Sequence, residues 1–309
     1  MTEPLRLGTR RSKLAVTQAR WVAEAVSRAA GRAVELVPMS SAGDESAAPI
    51  ASFGSVGVFV AALREALARG DVDFVVHSYK DLPTAPDPRL RLAAVPTRAD
   101  ARDALVGRLR SGARVGTGSP RRAAQLLARY PGVDVVPLRG NVDSRLARVG
   151  ELDAVVLAMA GLSRMDLLTA SVTPFEVEEL VPAPAQGALA VECRVTDDVT
   201  ASALSTVEDA AARVAVTAER AVLAELNAGC TAPVGAHATL IDGELRLTAL
   251  AAAPDGSTVL RVREVGSPEE ADAVGRKAAA RLRADGALAL LKQAEALAPA
   301  DPRAVPTRR

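Results

Sequence analysis

Short apolar runs alternate with helix-length segments along the first two-thirds of the chain, and this alternation constrains the fold most strongly. The run Phe74–Ser78 is continuously apolar before it turns polar, which is typical of a strand buried in a parallel sheet. Ser12 opens a helical pattern that continues to about Ala30, and Ser119 followed by Pro120 marks a second helix start. The alternation predicts an α/β fold with mainly parallel sheets.

The same patterns predict further elements. Strands are expected at 5–8, 34–37, 114–116, 133–138, 154–158, 244–251 and 258–264, and helices at 59–69, 141–149, 209–227 and from 268 onward. The segment 40–57 is rich in Ser, Ala and Gly and is predicted to be a long functional or mobile loop. The segment 298–309 is predicted to be a disordered tail.

Composition excludes several classes of protein. The 309 residues carry a net charge of +1 and only 2% aromatic residues, which disfavours nucleic-acid binding. No apolar run is long enough to span a membrane, and the first residues do not resemble a signal peptide. The two cysteines and two histidines form no zinc-binding spacing, so no metal is expected. We therefore expect a cytoplasmic protein that binds neither membrane nor nucleic acid.

Arginine supplies 34 of the 38 basic residues, and eight arginines face only two acids between Arg110 and Arg148. Three predicted strand-to-helix turns, at 8–12, 116–122 and 138–145, combine arginine with small or helix-opening residues. Helix-terminal N–H groups and guanidinium forks both bind anions. One such turn would be explained by a solvated arginine, but three together predict a polyanionic ligand, such as one with several carboxylates.

Two other segments carry candidate chemistry. Asp81 lies just past the buried strand and presents a carboxylate at the mouth of the sheet; the alternative is a surface ion pair with Lys80. Cys230 lies on a glycine-bracketed loop after a long helix, where a thiol is expected to be exposed. Cys193 and His77 lie within apolar runs, so we expect both in the core.

Seven motifs, spread over nearly the whole chain, resemble those of the porphobilinogen deaminases, also called hydroxymethylbilane synthases. Each motif alone is weak, but their joint order is specific to this family. In chain order they are TRRSKLA at 9–15, VHSYKDLP at 76–83, SPRR at 119–122, LRGNV at 138–142, AMAGL at 158–162, QGA at 186–188 and GCTAPVG at 229–235.

The resemblance implies two lobes similar to those of type 2 periplasmic binding proteins, followed by a small C-terminal α/β domain that carries the loop cysteine. The first lobe would comprise 1–93 and 188–205, the second 94–187, and the C-terminal domain 206–297. The resemblance also implies a monomer.

The resemblance further implies a transferase of porphyrin and heme biosynthesis. Four porphobilinogen units would be joined head to tail with loss of four ammonia, and water would release hydroxymethylbilane. The chain would grow on a dipyrromethane cofactor held by a thioether to Cys230. Asp81 matches the catalytic carboxylate, which would stabilise the electron-poor azafulvene left by ammonia. The other matched positions would bind cofactor and substrate: Arg10, Arg11, Ser12, Ser78, Lys80, Thr117, Ser119, Arg121, Arg122, Arg139, Arg145, Arg164 and Gln186.

The sequence departs from the family pattern in the predicted mobile loop, and two alternative functions also stay open. Val56 stands where the mobile loop of the family often has lysine, which puts a lid-to-cofactor salt bridge in doubt. A carboxylate-sensing protein on the same scaffold would explain the arginine turns but not the cysteine loop. A thiol hydrolase would use Cys230 with His77 or His237 as its base.

Overall fold

The computed structural model describes residues 3–39, 57–229 and 231–297. The predictions for 40–56, including Val56, for Cys230 and for the tail 298–309 lie outside the described residues. Strands and helices alternate through the first two-thirds, as predicted. The strands are β1 Leu5–Arg10, β2 Val34–Met39, β3 Phe74–Ser78, β4 Leu90–Ala94, β5 Asp103–Gly107, β6 Arg114–Thr117, β7 Asp134–Pro137, β8 Ala154–Ala158, β9 Val172–Pro174, β10 Leu189–Arg194, β11 Val234–Ile241, β12 Glu244–Ala252 and β13 Val259–Gly266.

Four of the α-helices begin after a residue whose side chain caps the helix. Ser119 and Asp209 accept hydrogen bonds from backbone N–H groups of the first turn, and Gly31 ends the first helix in the left-handed conformation. Within the described residues, no helix combines the length and apolarity needed to cross a membrane. The helices are α1 Lys13–Ala30, α2 Gly57–Arg69, α3 Pro120–Arg129, α4 Val142–Leu146, α5 Met159–Arg164, α6 Asp198–Ser205, α7 Ala210–Glu225, α8 Ala271–Ala284 and α9 Ala287–Leu297.

Two five-stranded sheets share one strand arrangement. Their orders are β2-β1-β3-β10-β4 and β7-β6-β8-β5-β9. In each sheet the fourth strand is antiparallel to both neighbours, and the other four strands run in one direction. The opposed strand is the one by which the chain enters from the other sheet. The predicted α/β class with mainly parallel sheets is therefore confirmed. We call the first sheet with α1, α2 and α6 lobe 1, and the second with α3, α4 and α5 lobe 2.

Each sheet is covered on both faces, which explains the continuous apolar runs. In lobe 1, Leu7 and Phe74 pack with Val22 of α1 on one face. Val75 packs with Leu67 of α2 on the other face. Lobe 2 likewise has two separate apolar clusters, one on each side of its sheet. Burial on both faces removes the polar alternation that a half-exposed strand would show.

The third sheet, β11-β12-β13, is entirely antiparallel and packs against α7, α8 and α9. We call these elements the C-terminal unit. The two-lobed α/β architecture with a small third unit, implied by the resemblance, is thereby confirmed. The single helix predicted from 268 onward is wrong in one respect: Gly286, with a φ of 103°, divides it into α8 and α9.

Other differences from the predicted elements involve short segments. The patterns missed β4, β5, β9 and β11, of which β9 has only three residues, and the helices α5 and α6. The helix predicted at 141–149 ends at Leu146, because the chain turns there and Val149 forms a β-bridge with Leu152. The missed segments of three to six residues contain too few positions for a clear period, whereas β11 and α6 have eight residues each and their length does not explain the miss.

Two crossing segments, 95–102 and 175–188, connect the lobes. The backbone N–H of Ala99 donates to the carbonyl of Gly187 at 3.2 Å. The Nε of Arg98 donates to the carbonyl of Gln186 at 2.9 Å. The two crossings are therefore bonded to each other between the lobes.

The buried carboxylate of Glu219 on α7 binds both crossings and thereby connects the C-terminal unit to them. It pairs with Arg98 through two contacts of 2.7 and 3.0 Å. It also accepts from the backbone N–H of Ala185 at 2.6 Å and of Ala238 at 2.7 Å. One acid thus links both crossings to α7 and β11.

The turn between β12 and β13 packs on α3 and gives a test of this docking. A Cβ at Gly256 would lie 2.6 Å from the N of Ala128 and 2.7 Å from the O of Ala124, whereas a Cβ at Gly243 would have no atom within 4 Å. Both glycines have positive φ, so alanine costs about 1–2 kcal/mol at either position. We expect Gly256→Ala to lower the urea midpoint more than Gly243→Ala. Equal midpoints for the two variants would contradict the docking.

Candidate functional site

Side chains from both lobes meet where strands β3 and β6 end. Lys80 follows β3 in lobe 1, Arg122 lies on α3 in lobe 2, and Gln186 lies on the return crossing. The Nζ of Lys80 donates to the Oε1 of Gln186 at 3.2 Å, and the Nη2 of Arg122 approaches the same oxygen at 3.5 Å. The predicted motifs at 76–83, 119–122 and 186–188 therefore converge at one interlobe junction.

A fully buried carboxylate, Asp103 at the start of β5, organises the lobe 2 side of this junction. Its oxygens lie 2.7 Å from the Nη1 of Arg121 and 2.7 Å from the Nη2 of Arg122. The Nε2 of Gln186 donates to it at 2.8 Å. Burial opposes ionisation, but the two guanidinium groups outweigh burial and hold the pKa of Asp103 well below its ordinary value.

Two of the predicted binding residues use their polar groups inside the protein. The guanidinium of Arg121, which is 3% exposed, also donates to the carbonyl of Val181 at 2.6 Å. Gln186 is 1% exposed and also donates to the carbonyl of Ala101 at 2.8 Å. In the structure both side chains position their neighbours. Direct ligand contact by either stays a prediction.

Three predicted hydroxyl ligands also have partners within the protein. Ser78 Oγ lies 3.1 Å from the Nε2 of Gln18. Thr117 Oγ1 accepts from the backbone N–H of Ser119 at 3.2 Å. Ser119 Oγ accepts from the backbone N–H of Arg122 at 3.4 Å, which confirms it as the cap of α3. These bonds fix the turns that approach the junction.

Burial perturbs three of the predicted cations. It lowers the pKa of Lys80 to about 8 and the pKa of Arg164 to about 10. It also lowers the pKa of Arg145, with a further contribution from the charge of Arg122, while the charge of Asp81 acts in the opposite direction. Asp81 acts on Lys80 in the same way. These mutual effects place Lys80, Asp81, Arg122 and Arg145 in one electrostatic neighbourhood.

These three half-buried cations have neutral partners. The Nε of Arg145 donates to the carbonyl of Gly140 at 2.8 Å, and the Nη2 of Arg164 donates to the carbonyl of Gly187 at 2.7 Å. The Nζ of Lys80 donates to the side-chain amide oxygen of Gln186. Among the described residues, no carboxylate oxygen lies within 4.0 Å of any of these three cations. A desolvated cation without a counter-charge is unfavourable. An anionic ligand at this junction would supply that charge.

The remaining predicted cations lie at strand ends, as the turn motifs required. Arg10 is half-buried at the end of β1, Arg11 is exposed, and Arg139 is exposed after β7. Ser12 precedes α1, and its side chain makes no capping hydrogen bond. The binding roles of these four residues stay predictions.

Asp81 ends a 3-10 turn, Tyr79–Asp81, that directly follows β3. Its side chain is half-buried, and no hydrogen bond or ion pair to its carboxylate is found among the described residues. The alternative ion pair with Lys80 is not formed, because the amine of Lys80 is directed to Gln186. The carboxylate is therefore available to a ligand in a cationic setting.

The two residues predicted to lie in the core do so. His77 is 6% exposed, and its Nε2 lies 3.3 Å from a carboxylate oxygen of Glu192. Arg64 on α2 binds the same carboxylate at 2.7 and 2.9 Å. Cys193 is fully buried in β10, and burial raises the pKa of its thiol. Neither His77 nor Cys193 belongs to the junction.

Sequence patterns missed two residues that shape the junction, Asp103 and Glu219. Asp103 opens a strand that was itself missed, and a single acid before an apolar run is no distinctive signal. Glu219 shares a helix face with the buried residues Ala215, Ala218 and Val222. An acid on an otherwise apolar face was a usable signal, because buried acids are almost always paired.

Comparison with known proteins decides the family. Residues 5–202 match the family model described as "Porphobilinogen deaminase, dipyromethane cofactor binding domain", and residues 213–284 match "Porphobilinogen deaminase, C-terminal domain". The chain belongs to the porphobilinogen deaminase family. It is 54% identical to a porphobilinogen deaminase of Nocardia farcinica, over 96% of this chain and 90% of the relative. It is 51% identical to porphobilinogen deaminase 1 of Streptomyces coelicolor, over 94% and 98%.

Solved structures of solute-binding proteins are more distantly similar. An ancestral cationic amino acid solute-binding protein is 16% identical, with a TM-score of 0.42, over 65% of this chain and 86% of that chain. A periplasmic substrate-binding protein of an ABC transporter from Coxiella burnetii is 15% identical, with a TM-score of 0.40, over 66% and 91%.

The described residues fit the cofactor that the family model names. A dipyrromethane with carboxylate side chains is polyanionic, and the junction presents half-buried cations whose partners are neutral. Among the described residues, no group of three or more His, Cys, Asp or Glu side chains could hold a metal ion.

Asp103→Asn tests whether this carboxylate holds the arginines in place. Breaking a buried ion pair costs about 3–5 kcal/mol, so we expect a large fall in the free energy of urea unfolding at pH 7. The control Asp100→Asn removes the half-exposed pair with Arg102 and should cost about 0–1 kcal/mol.

The pH dependence of the Asp103 effect follows from its depressed pKa. The wild-type advantage should be complete above the ordinary carboxyl pKa of about 3.9 and should shrink as the pH falls through the folded-state value. A difference between wild type and Asp103→Asn that grows on acidification would contradict the assignment.

Proposed function

We propose that this chain catalyses the head-to-tail condensation of four porphobilinogen molecules to hydroxymethylbilane, with release of four ammonia, in tetrapyrrole biosynthesis. One observation carries the proposal. Three half-buried cations whose pKa is lowered by burial, each with a neutral partner, lie at the junction, and among the described residues the carboxylate of Asp81 has no partner there. Cations of this kind suit a substrate with acetate and propionate groups, and the carboxylate suits a cationic reacting centre.

The arginines and Lys80 would hold the carboxylates of cofactor and substrate. Hydrogen bonds to charged groups contribute about 1.5–3 kcal/mol each, so several together would hold a polycarboxylate firmly. Lys80, Arg122, Arg145 and Arg164 surround the junction, and the exposed Arg11 and Arg139 would extend the cationic surface. When bound, the dipyrromethane supplies the pyrrole carbon to which the first substrate unit is joined.

Asp81 would stabilise positive charge as ammonia leaves the substrate. Ammonia leaves the protonated aminomethyl group with the electron pair of the C–N bond, and the cationic azafulvenium that results keeps its ring N–H, which can donate to a fixed carboxylate. Asp81 is held on a short turn next to a buried strand, so its carboxylate need not reorganise during the step. A preorganised group aimed at developing charge is an efficient electrostatic catalyst.

Several finer statements belong to the same proposal. We propose a thioether between the cofactor and Cys230, a cytoplasmic location and a monomeric state. We also propose the domain limits given by the resemblance: 1–93 with 188–205, then 94–187, then 206–297. The order of the sheets in the chain and the junction of α7 with both crossings support this division.

The two alternatives are less well supported. A carboxylate sensor would need the cations, but it gives no role to Asp81, whose carboxylate has no partner among the described residues. A thiol hydrolase would need a histidine base. His77 is buried against Glu192, and burial lowers the pKa of His237 on β11, where Glu219 and Arg98 are its main charged neighbours. Neither histidine is part of the junction.

Asp81→Asn tests the catalytic role. We expect a folded protein that retains cofactor and binds porphobilinogen, because the arginines hold the substrate carboxylates. Ammonia release in a single turnover should fall by about 10²–10³-fold, the usual value of such a group. The control Asp71→Asn alters an exposed carboxylate paired with Arg69 and should keep the wild-type rate. A wild-type rate in Asp81→Asn would remove Asp81 from the mechanism.

Cys230→Ala tests the attachment. Intact mass should show a covalent excess equal to a dipyrromethane in wild type and in Cys193→Ala, and the bare chain in Cys230→Ala. The core cysteine is the matched control, because it lies fully buried in β10. A modified Cys193 in a peptide map would overturn the assignment. Bare wild-type protein would favour a sensor or a hydrolase.

A further inference from the structure

Arg220 of the C-terminal unit hydrogen-bonds to the turn that carries Lys80 and Asp81. Its guanidinium donates to three backbone carbonyls: Tyr79 at 3.3 Å, Leu82 at 3.1 Å and Pro83 at 2.5 Å. Its Cζ also lies 4.7 Å from the centroid of the Tyr79 ring, which is within the range of a cation–π contact. One side chain thus binds the backbone on both sides of the two functional residues.

The charge of Arg220 has no carboxylate partner within 4.0 Å among the described residues. The side chain is half-buried and burial lowers its pKa, while the charge of Arg64 acts in the same direction and that of Glu192 in the opposite one. The guanidinium is therefore stabilised by carbonyl dipoles and an aromatic face. A planar fork with five N–H donors suits several carbonyls at once, whereas lysine offers one small ammonium group.

The turn depends on this contact because it is short. Its internal support is one bond from the N–H of Leu82 to the carbonyl of Tyr79 at 3.1 Å, and the N–H of Tyr79 donates to the carbonyl of Ala188 at 3.0 Å. Tyr79 and Leu82 pack in an apolar cluster with Val216 of α7, one turn before Arg220. Helix α7 therefore supports the turn by packing and by hydrogen bonds.

We propose that Arg220 is a positioning residue for the condensation, which holds the backbone of 79–83 so that Asp81 keeps its place at the junction. This inference rests on the proposed function. The helix that carries Arg220 ends at Glu225, five residues before Cys230. Arg220 thus ties the turn of lobe 1 to the unit that carries the proposed cofactor anchor. Small displacements of a reacting group can cost up to about 100-fold in rate.

The experiment compares Arg220→Gln and Arg220→Lys with Arg213→Gln in the full-length, cofactor-loaded protein. Arg213 is the matched control, because it lies on the same helix but pairs with Glu208 at 2.6 and 2.9 Å. We expect Arg220→Gln to lower kcat about 10–100-fold with little change in KM, since Arg220 touches no substrate. Arg220→Lys should fall between Arg220→Gln and wild type.

Amide deuterium exchange gives a readout that does not depend on turnover. Peptides covering 76–85 should exchange faster in Arg220→Gln than in wild type, and at the wild-type rate in Arg213→Gln. Wild-type exchange there in both Arg220 variants, or a raised KM with unchanged kcat, would overturn the proposal. If Arg220→Gln fails to fold, Arg220→Lys decides by the same two measurements. Wild-type protein inactive on porphobilinogen would refute the proposed function, while the exchange data would still test the contact.

Discussion

A carboxylate without access to water stays ionised only where cations lie against it. Asp103 is such a carboxylate, and its need for cationic partners determines which side chains meet at the interlobe junction. Arg121 and Arg122 satisfy it from α3, and Gln186 on the return crossing donates to the same carboxylate. The Oε1 of the same Gln186 amide accepts a hydrogen bond from the Nζ of Lys80, which links lobe 1 to Asp103 as well. Arg121, Arg122 and, through Gln186, Lys80 are therefore positioned by an acid that is itself fully buried. Glu219 does the same for the C-terminal unit, so two buried acids connect the three sheets.

The predictable part of the site is the part encoded locally. Asp81 was predicted because polar residues directly follow a buried apolar strand, and Ser119 because a cap residue stands before a proline. The neighbouring sequence does not explain why Arg121 contacts the carbonyl of Val181 whereas Arg122 approaches the amide of Gln186. The two side chains are adjacent, of the same residue type and both buried against Asp103, which precedes them by 18 and 19 positions. Which groups an arginine contacts depends on strands that are distant in sequence.

The same limit applies to the fold. Periodicity predicted most helices and the long apolar strands, because burial on both faces leaves a continuous run. It could not give strand direction: β5 and β10 oppose their neighbours because each receives the chain from the other lobe. Nor could it predict the contact of Arg220 with the turn after β3, since a helical arginine that binds carbonyls has the same pattern as a solvated one. These features follow from the path of the chain through space.

The choice of arginine over lysine has a consequence for how the junction responds to its medium. A guanidinium keeps its proton throughout the pH range in which proteins stay folded. Arg164, with a pKa of about 10, is still protonated near neutrality. Lys80, with a pKa of about 8, exchanges its proton close to that range. Among the cations described at the junction, the Nζ of Lys80 is therefore the group whose charge changes with pH near neutrality. The rest form a fixed-charge surface whose attraction for carboxylates is set by the fold and not by the buffer.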